Sequence, residues 1–272
     1  MSMVALCSVK AAPGVTTTAV ALGAVWPSER RVLVAELDPS GGDLASRFGL
    51  PPEPGLLSLA AALRRSRGEQ LVWRHCQRLP GRLAVLASPP GCEQASTALL
   101  APGVLETLAG MGADVLADCG RLHHPGAATR AVVRRAALTV LVARPVVAEV
   151  EHLAADLPAI AGECPRLGLV LVGQGGYPAD EIAAALEIEL LGVLPRDRHG
   201  AAWLAGAPAN AWALRRAALV RAAWPLARTL ATRLAGPADQ ATQPAPAVPD
   251  ERRPARPAPP DPSPIRSPEA SP

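Results

Sequence analysis

The sequence predicts an α/β fold: a doubly wound, mostly parallel sheet of about seven to eight strands flanked by helices. Short apolar runs alternate with helical patterns along most of the chain, and this alternation is typical of a parallel sheet. Two of the runs end in an acidic residue, and a glycine-containing turn after the first run leads into a helix. Residues 1–236 are the predicted domain. Residues 237–272 hold almost no large apolar side chains and are predicted to be a disordered tail, rich in proline and alanine.

The composition favours a globular protein of a reducing compartment. Of 272 residues, 49% are hydrophobic, which is enough for a sizeable core, and only 3% are aromatic, so the core must be built from Ala, Val and Leu. A net charge of +3 gives little support to bulk nucleic-acid binding. The five cysteines are scattered without C-x-x-C spacing, which favours free thiols over a disulfide framework or a zinc site. With no signal segment and no apolar run long enough for a bilayer, we expect a cytoplasmic protein.

The first predicted strand, residues 3–7, is followed by a turn and by a helical run over residues 16–25. Strand, glycine turn and helix form the context of a phosphate-binding loop, because backbone N–H groups and the helix N-terminus point at the anion. A working loop ends in Gly-Lys-Ser/Thr, but this chain reads Gly14-Val15-Thr16. The chain holds a single lysine, Lys10, at the start of the turn.

Two later apolar runs end in carboxylates. Residues 31–38 end in Glu36 and Asp38, and residues 113–118 end in Asp118. Acids at the carboxyl ends of parallel strands face the ligand crevice, and the second run has the form of a strand whose last Asp binds Mg²⁺ through water. A strand that simply ends in a turn-forming Asp-Pro would explain Asp38 alone almost as well.

The remaining elements alternate in the same way. After residues 38–43, where Asp43 is expected to cap the next helix, we predict helices and strands in turn. The predicted helices are residues 44–48, 56–63, 93–110, 126–135, one that runs to Ile160, and 178–186; the predicted strands are 83–90, 138–143, 167–172 and 190–194. Gln174 follows one of these strands, and the loop of Pro195, Arg196 and Asp197 follows another.

Residues 209–234 form a long helical stretch without acidic residues, in which Pro225 is expected to produce a kink or a break. An apolar stripe at helical spacing crosses it, with arginines as candidates for the polar side. The stripe is Trp212, Leu219, Ala223, Leu226, Leu230 and Leu234. A final helix packed on the sheet is the favoured interpretation, and a basic amphipathic helix on a membrane surface is the alternative.

Six arginines crowd the region before the strand at residues 83–90: Arg64, Arg65, Arg67, Arg74, Arg78 and Arg82. A patch for nucleic acid or for an acidic partner is one hypothesis. The favoured interpretation is a solvated helix face in an arginine-biased protein.

The order of these motifs resembles that of the ParA/MinD family of P-loop ATPases, whose deviant phosphate loop reads K-G-G-x-G-K-T-T. The resemblance aligns Lys10 with the signature lysine, Gly14 with the last glycine and Thr16 with the Mg²⁺ hydroxyl, while Val15 replaces the second lysine and Ala11 and Ala12 replace glycines. Glu36 and Asp38 stand where the family has D-x-D. Residues 38–50, 56–63 and 83–90 further resemble the CpaE/TadZ pilus-assembly branch.

The resemblance implies a P-loop NTPase fold, ATP and Mg²⁺ as ligands, and a homodimer that sandwiches the nucleotide. It assigns cross-subunit or catalytic roles to Lys10 and Asp38, and Mg²⁺ contacts to Thr16, Asp38 and Asp118. Nucleotide contacts fall on Ala12, Pro13, Gly14, Val15, Thr16, Thr17, Gln174, Pro195 and Asp197. Gln174 stands near the place of the family's adenine-reading Asn, and the Pro195 loop resembles its base-contacting loop.

Three functions stay open at this point. The first is an ATP-binding switch or localisation protein with weak or lost hydrolysis, which acts with pilus, secretion or polar-positioning proteins. The second is a pseudo-ATPase scaffold, supported by Val15, since an isopropyl group cannot neutralise phosphate charge. The third is a DNA-partitioning ATPase, which depends on fold analogy and the arginines. Peripheral contact with the inner membrane would use residues 209–234, and DNA binding would be nonspecific.

Overall fold

A computed structural model describes residues 2–10, 13–122, 127–208 and 211–234. Within these residues, eight strands form one sheet in the order β3-β4-β2-β5-β1-β6-β7-β8. All neighbouring strands are parallel except β3 and β4, which pair antiparallel at one edge. The predicted fold class and strand number are therefore confirmed. The predicted tail, residues 237–272, lies outside the described residues, so the domain boundary stays a prediction.

The strands are short, apolar and mostly buried on both faces, as parallel strands between two helical layers must be. They are β1 (Met3–Ser8), β2 (Val32–Glu36), β3 (Gln77–Arg78), β4 (Ala84–Leu86), β5 (Asp114–Arg121), β6 (Leu138–Ala143), β7 (Leu167–Val172) and β8 (Leu190–Leu194).

The helices connect the strands and cover both faces of the sheet. They are α1 (Val15–Ala24), α2 (Leu44–Phe48), α3 (Leu56–Leu63), α4 (Glu69–His75), α5 (Cys92–Leu99), α6 (Val104–Ala109), α7 (Ala127–Val133), α8 (Val147–Ala161), α9 (Ala179–Ala185), α10 (Arg198–Trp203), α11 (Ala211–Arg216) and α12 (Ala218–Leu234).

Two apolar layers hold the helices on the sheet. On one face, the buried side chains of α3 and of α5 to α9 pack against alternate residues of the strands. On the other face, α1 and α12 supply most of the buried side chains, and α12 also packs on β8. Leucine, valine and alanine dominate both layers, as the low aromatic content requires.

Two predicted helices are each divided in the structure. The stretch at residues 93–110 becomes α5 and α6: α5 ends at Leu99, and Gly103, with a left-handed backbone at φ +88°, takes the N-cap position of α6. The stretch at residues 209–234 is interrupted at Ala217, and Pro225 lies inside α12 rather than at a break.

The predicted packing of the last helix on the sheet agrees with the burial of α12. Five residues of the predicted stripe, Leu219, Ala223, Leu226, Leu230 and Leu234, are buried. Trp212 was wrongly included in that stripe: it lies on α11 and is 68% exposed. The apolar face of α12 is therefore already occupied by the protein core.

Two observations bear on the environment of the chain. In the described residues, no helix has the length and the apolar character that a membrane crossing requires. All five cysteines are free; Cys7 and Cys119 are buried, while Cys92 is exposed.

Candidate functional site

The carboxyl ends of three adjacent central strands bring the main predicted site residues together. β5 lies between β2 and β1, and Asp118 is paired in register with Leu6 of β1 and with Glu36 of β2. The turn into α1 follows β1, and Asp38 follows β2. The predicted metal ligands Thr16, Asp38 and Asp118 therefore meet at one edge of the sheet.

Asp118 is the centre of this cluster. Its side chain is buried, accepts a hydrogen bond from the Thr16 hydroxyl and accepts another from the backbone N–H of Gly120 at 3.1 Å. Burial raises the pKa of Asp118 to about 6, the two hydrogen bonds oppose that change, and the nearby charge of Asp38 adds to it. A buried carboxyl group with a second carboxylate beside it is an arrangement that a cation would stabilise.

Asp38 lies against the backbone of β5. A Cβ atom added to Gly120 would stand 1.8 Å from Asp38 Oδ2, so only a glycine fits there in this arrangement. Gly120 also has φ +59°, in the left-handed region that favours glycine. Asp38 Oδ1 accepts a hydrogen bond from the Ser40 N–H at 2.7 Å, which fixes the turn after β2.

The start of α1 presents unpaired backbone donors to the same edge. Gly14 occupies the N-cap position with φ +100°, and the first bond inside the helix runs from Thr18 N–H to the Gly14 carbonyl at 2.8 Å. Among the residues that the structure describes, no side chain caps the helix, and the N–H groups of Val15, Thr16 and Thr17 have no acceptor. These groups suit an external acceptor, and the helix dipole favours an anion.

Two residues of the loop weaken its resemblance to a working phosphate loop. Val15 is only 6% exposed and belongs to the apolar layer under α1, so its side chain acts as a core residue. Pro13 is buried and has no N–H to donate. Lys10 is half-buried in the bend after β1, and Ala12 lies outside the described residues.

Glu36 has a structural function that the sequence did not indicate. Its Oε1 accepts hydrogen bonds from the N–H groups of Asp43 at 2.7 Å and Leu44 at 2.8 Å, and its Oε2 accepts one from Ser88 at 3.0 Å. Burial raises the pKa of Glu36 to about 7 against the effect of these bonds. The expectation that Asp43 caps α2 is wrong: its side chain makes no cap bond, and Glu36 binds the start of that helix instead.

The three remaining predicted residues follow β7 and β8, on the other side of β1 from Asp118. Gln174 is exposed in the loop after β7, and Pro195 is half-buried after β8. Asp197 accepts hydrogen bonds from Gly200 N–H at 2.9 Å, at the start of α10, and from Leu219 N–H at 3.2 Å, at the start of α12. These bonds, that to Gly200 first, lower the pKa of Asp197, so its carboxylate serves as a cap for two helices.

The cluster fits a divalent cation that takes part of its coordination from a ligand. Thr16, Asp38 and Asp118 offer oxygen atoms, which Mg²⁺ prefers, and Mg²⁺ commonly combines one or two carboxylates with water and substrate phosphates. No group of three or more His, Cys, Asp or Glu side chains in the described residues could hold a metal by itself. The protein side chains alone therefore do not complete a metal centre.

No protein-family model matches the sequence, and no curated protein matches it at the sequence level. Solved structures do match the fold. An ATPase of the ParA family from Chlorobium tepidum TLS has a TM-score of 0.67 at 15% identity and covers 84% of this chain and 98% of its own.

Two further matches are MinD proteins. The septum site-determining protein MinD from Pyrococcus horikoshii OT3, complexed with Mg-ADP, has a TM-score of 0.64 at 20% identity and covers 84% of this chain and 95% of its own. The MinC:MinD cell division protein complex from Aquifex aeolicus gives a TM-score of 0.63 at 14% identity over 85% of this chain and 96% of the other. Likeness at these identities establishes the fold, and the chain has the fold of the ParA/MinD P-loop ATPases.

Proposed function

We propose that this protein is a ParA/MinD-like ATP-binding switch or localisation protein whose ATP hydrolysis is weak or lost. The observation that carries the proposal is the joint position of an uncapped helix N-terminus and an oxygen cluster. The free N–H groups of Val15, Thr16 and Thr17 suit phosphate oxygens, and the Thr16–Asp118 pair suits the accompanying Mg²⁺. The MinD structure with Mg-ADP supports the same choice of ligand by fold.

Weak hydrolysis is expected from the side chain at position 15. A lysine ammonium at this point would neutralise charge on the β- and γ-phosphates, but the Val15 isopropyl group is buried in the apolar layer. Loss of one positioned charge slows phosphoryl transfer by a factor on the order of 10²–10³. Binding depends on the backbone N–H groups and the helix dipole, and these remain.

Calorimetric titration of the full chain with ATP and with ADP, each with and without Mg²⁺, tests the proposal. We expect Mg²⁺-dependent binding that Asp118→Ala abolishes, because the variant removes the hydrogen-bond partner of Thr16 and the buried carboxylate. Glu189→Ala is the matched control, since that carboxylate pairs with Arg233 just before β8, at the opposite end of the strands from Asp118.

Two outcomes would contradict the proposal. Turnover at ordinary ATPase rates, lost in Asp38→Ala, would show that hydrolysis is intact. Absence of binding by any nucleotide would leave the pseudo-ATPase scaffold, in which the same fold serves only as a localisation module.

The homodimer expected from the resemblance is tested at Lys10. In a nucleotide sandwich, the signature lysine of one subunit reaches the nucleotide of the other. Lys10→Ala should therefore reduce the dimer fraction in the presence of Mg²⁺ and ATP, measured by light scattering, and leave the monomer unchanged without nucleotide. An equal dimer fraction in both proteins would remove this role for Lys10.

A second candidate, binding of duplex DNA, is supported by a basic cavity at the opposite end of the strands from Asp118. The cavity has a volume of about 740 Å³, and its lining includes Arg31, Arg78, Arg82 and Arg215. Arg78 donates to the Arg82 carbonyl at 2.8 Å, which holds two of these residues together. Binding that weakens with salt and with Arg215→Glu would support this function, and absence of binding at low salt would exclude it.

The partner and the location stay proposals from the resemblance. A pilus-assembly or secretion machinery is the partner expected of the CpaE/TadZ branch, and the genes next to this one would distinguish it from chromosome partitioning. Peripheral contact of residues 209–234 with a membrane would have to use Trp212 and Trp224, which are exposed and stack with Arg216 and Arg228, because the leucines of α12 are buried.

A further inference from the structure

We infer that an acidic, amphipathic peptide segment of a partner protein docks in a groove between α3 and α5. The groove has a volume of about 860 Å³. Its apolar side chains include Leu57, Leu63, Leu100 and Pro102, and its basic side chains are Arg64, Arg65 and Arg67. No Asp or Glu is among the residues that line it. This set of residues is called the α3–α5 groove below.

The groove presents apolar surface that the fold itself does not cover. Leu57 is 39% exposed and Leu100 is 50% exposed, although neighbouring Leu63 is buried. A smaller depression of about 280 Å³ shares Arg67 and Leu100 with it and is also lined by Glu106 and Arg135, which form an ion pair with each other. The two together form a trough that several aliphatic side chains of a peptide can enter.

The charges around the trough indicate that its occupant is negatively charged. Arg64, Arg65 and Arg67 follow directly on α3 and, within the described part of the chain, form no ion pair. Arginines in the loop after a helix would be ordinary on a solvated surface. In this protein they line the same concavity as two exposed leucines, and that combination fits acidic residues spaced between apolar anchors.

Two other occupants fit less well. A second copy of this chain, bound through the same face, would place its arginines against those of the first, and like charges oppose that contact. A nucleic-acid backbone would satisfy the arginines but would leave the leucines without apolar partners.

The groove lies away from the candidate nucleotide site. α3 begins where β4 ends, since Leu56 N–H donates to the Ala87 carbonyl at 2.8 Å, and the three arginines follow its other end. Thr16, Asp38 and Asp118 are not among the residues that line the groove. The inference is independent of nucleotide binding, and its test is carried out without nucleotide.

Selection from a display library of random peptides about 12 residues long, on the immobilised full chain, tests this inference. We expect enriched peptides that combine Asp or Glu with Leu, Ile or Phe at helical spacing. A synthetic, fluorescently labelled copy of the enriched peptide then reports affinity by anisotropy. Leu100→Glu and Arg65→Glu should each weaken its binding by at least about tenfold, and added salt should weaken it further.

Val193→Glu and Arg215→Glu are the matched controls, because Val193 is 45% exposed on β8 and Arg215 lies outside the groove. Both should leave the affinity unchanged, and thermal melting confirms that every variant is folded. Enriched peptides without acidic residues, or peptides whose binding ignores Leu100→Glu and Arg65→Glu, would overturn the inference. A self-association that Leu100→Glu abolishes without peptide would also overturn it, since the occupant would then be a second copy.

Discussion

At the scale of single residues, Glu36 and Asp118 are buried acids held by different partners. Glu36 joins three backbone segments: the end of β2, the start of α2 and the residue Ser88 after β4. Asp118 joins β5 to the first turn of α1 through Thr16. Both pKa values are raised by burial, so protonation of either acid favours the folded state.

The contribution of these two acids to the free energy of unfolding, without Mg²⁺, is therefore expected to fall as the pH rises. Each acid has a higher pKa in the folded state than in the unfolded state. Its contribution to the free energy of unfolding is therefore complete at pH values below the unfolded pKa, and it is lost as the pH rises past the folded pKa. For Glu36 the window runs from 4.5 to about 7, and for Asp118 it runs from 3.8 to about 6. Urea denaturation across this range measures the slope.

The variant Glu36→Gln distinguishes the pH-dependent contribution of Glu36 from that of Asp118. The amide keeps one acceptor oxygen for the N–H groups of Asp43 and Leu44 but sets its NH2 group against the Ser88 N–H. The variant should therefore be less stable than the wild-type protein at low pH and should lose the decline near pH 7. Glu93→Gln, on the exposed start of α5, is the control. A difference in stability between the wild-type protein and Glu36→Gln that stays constant from pH 4.5 to 7 would contradict the expected decline.

At the scale of elements, Asp197 connects α10 and α12 through one carboxylate. α10 has only six residues and α12 has seventeen, and the N–H groups at the start of both helices donate to this cap. Because α12 covers the sheet beside α1, the cap also fixes the helix that closes the second apolar layer.

Asp197→Ala should lower the free energy of unfolding at pH 7 by about 1–2 kcal/mol, the usual effect of losing a helix N-cap. Asp197→Asn keeps one acceptor oxygen and should lose less. The folded pKa of Asp197 is below its unfolded value of 3.8, so its contribution is present above that pH and is lost as the pH falls further. Urea denaturation at pH 7 and near pH 3 measures both effects, and equal losses at the two pH values would exclude the capping role.

Several elements could be predicted from the sequence because local patterns determine them. β6, β7 and β8 coincide with the predicted runs 138–143, 167–172 and 190–194, since each is a buried apolar run between turn residues. α10 was not predicted, because a helix of six residues depends on the Asp197 cap more than on its own periodicity. The three-way contact of Glu36 joins residues 52 positions apart, which no local pattern indicates.

In the candidate site, too, some features could be predicted from local patterns and others depend on packing between distant parts of the chain. The Mg²⁺ contacts of Thr16, Asp38 and Asp118 were expected from the resemblance, and the positions of Asp38 and Asp118 after strand ends indicated the same edge. The sheet brings the three side chains together. The burial of Val15 and the two helix starts at Asp197 depend on packing from distant parts of the chain. For the backbone-binding role of Glu36, the sequence offers one indication: Gly41 and Gly42 follow the acid closely. A Cβ atom on Gly42 would stand 2.5 Å from Glu36 Oε2.

At the scale of the whole molecule, the folded unit and the proline-rich C-terminal segment differ in composition. The described residues form two apolar layers on one sheet. Residues 237–272 contain almost no side chains that could extend either layer.

Removal of residues 237–272 should therefore leave the free energy of unfolding and its urea dependence unchanged within about 0.5 kcal/mol. The urea dependence is informative because it scales with the surface that unfolding exposes. A decrease in both quantities would mean that the segment contributes apolar surface to the folded unit and that the predicted boundary is wrong.

The contact between Gly120 and Asp38 limits how the protein can change over evolutionary time. Because a Cβ at position 120 would overlap the Asp38 carboxylate, neither position can vary freely while the other is kept. Lineages that lose the acid at position 38 gain room for a side chain at position 120, although the positive φ still opposes it. A substituted Gly120 in a related sequence would thus indicate a protein that has also lost the carboxylate at position 38.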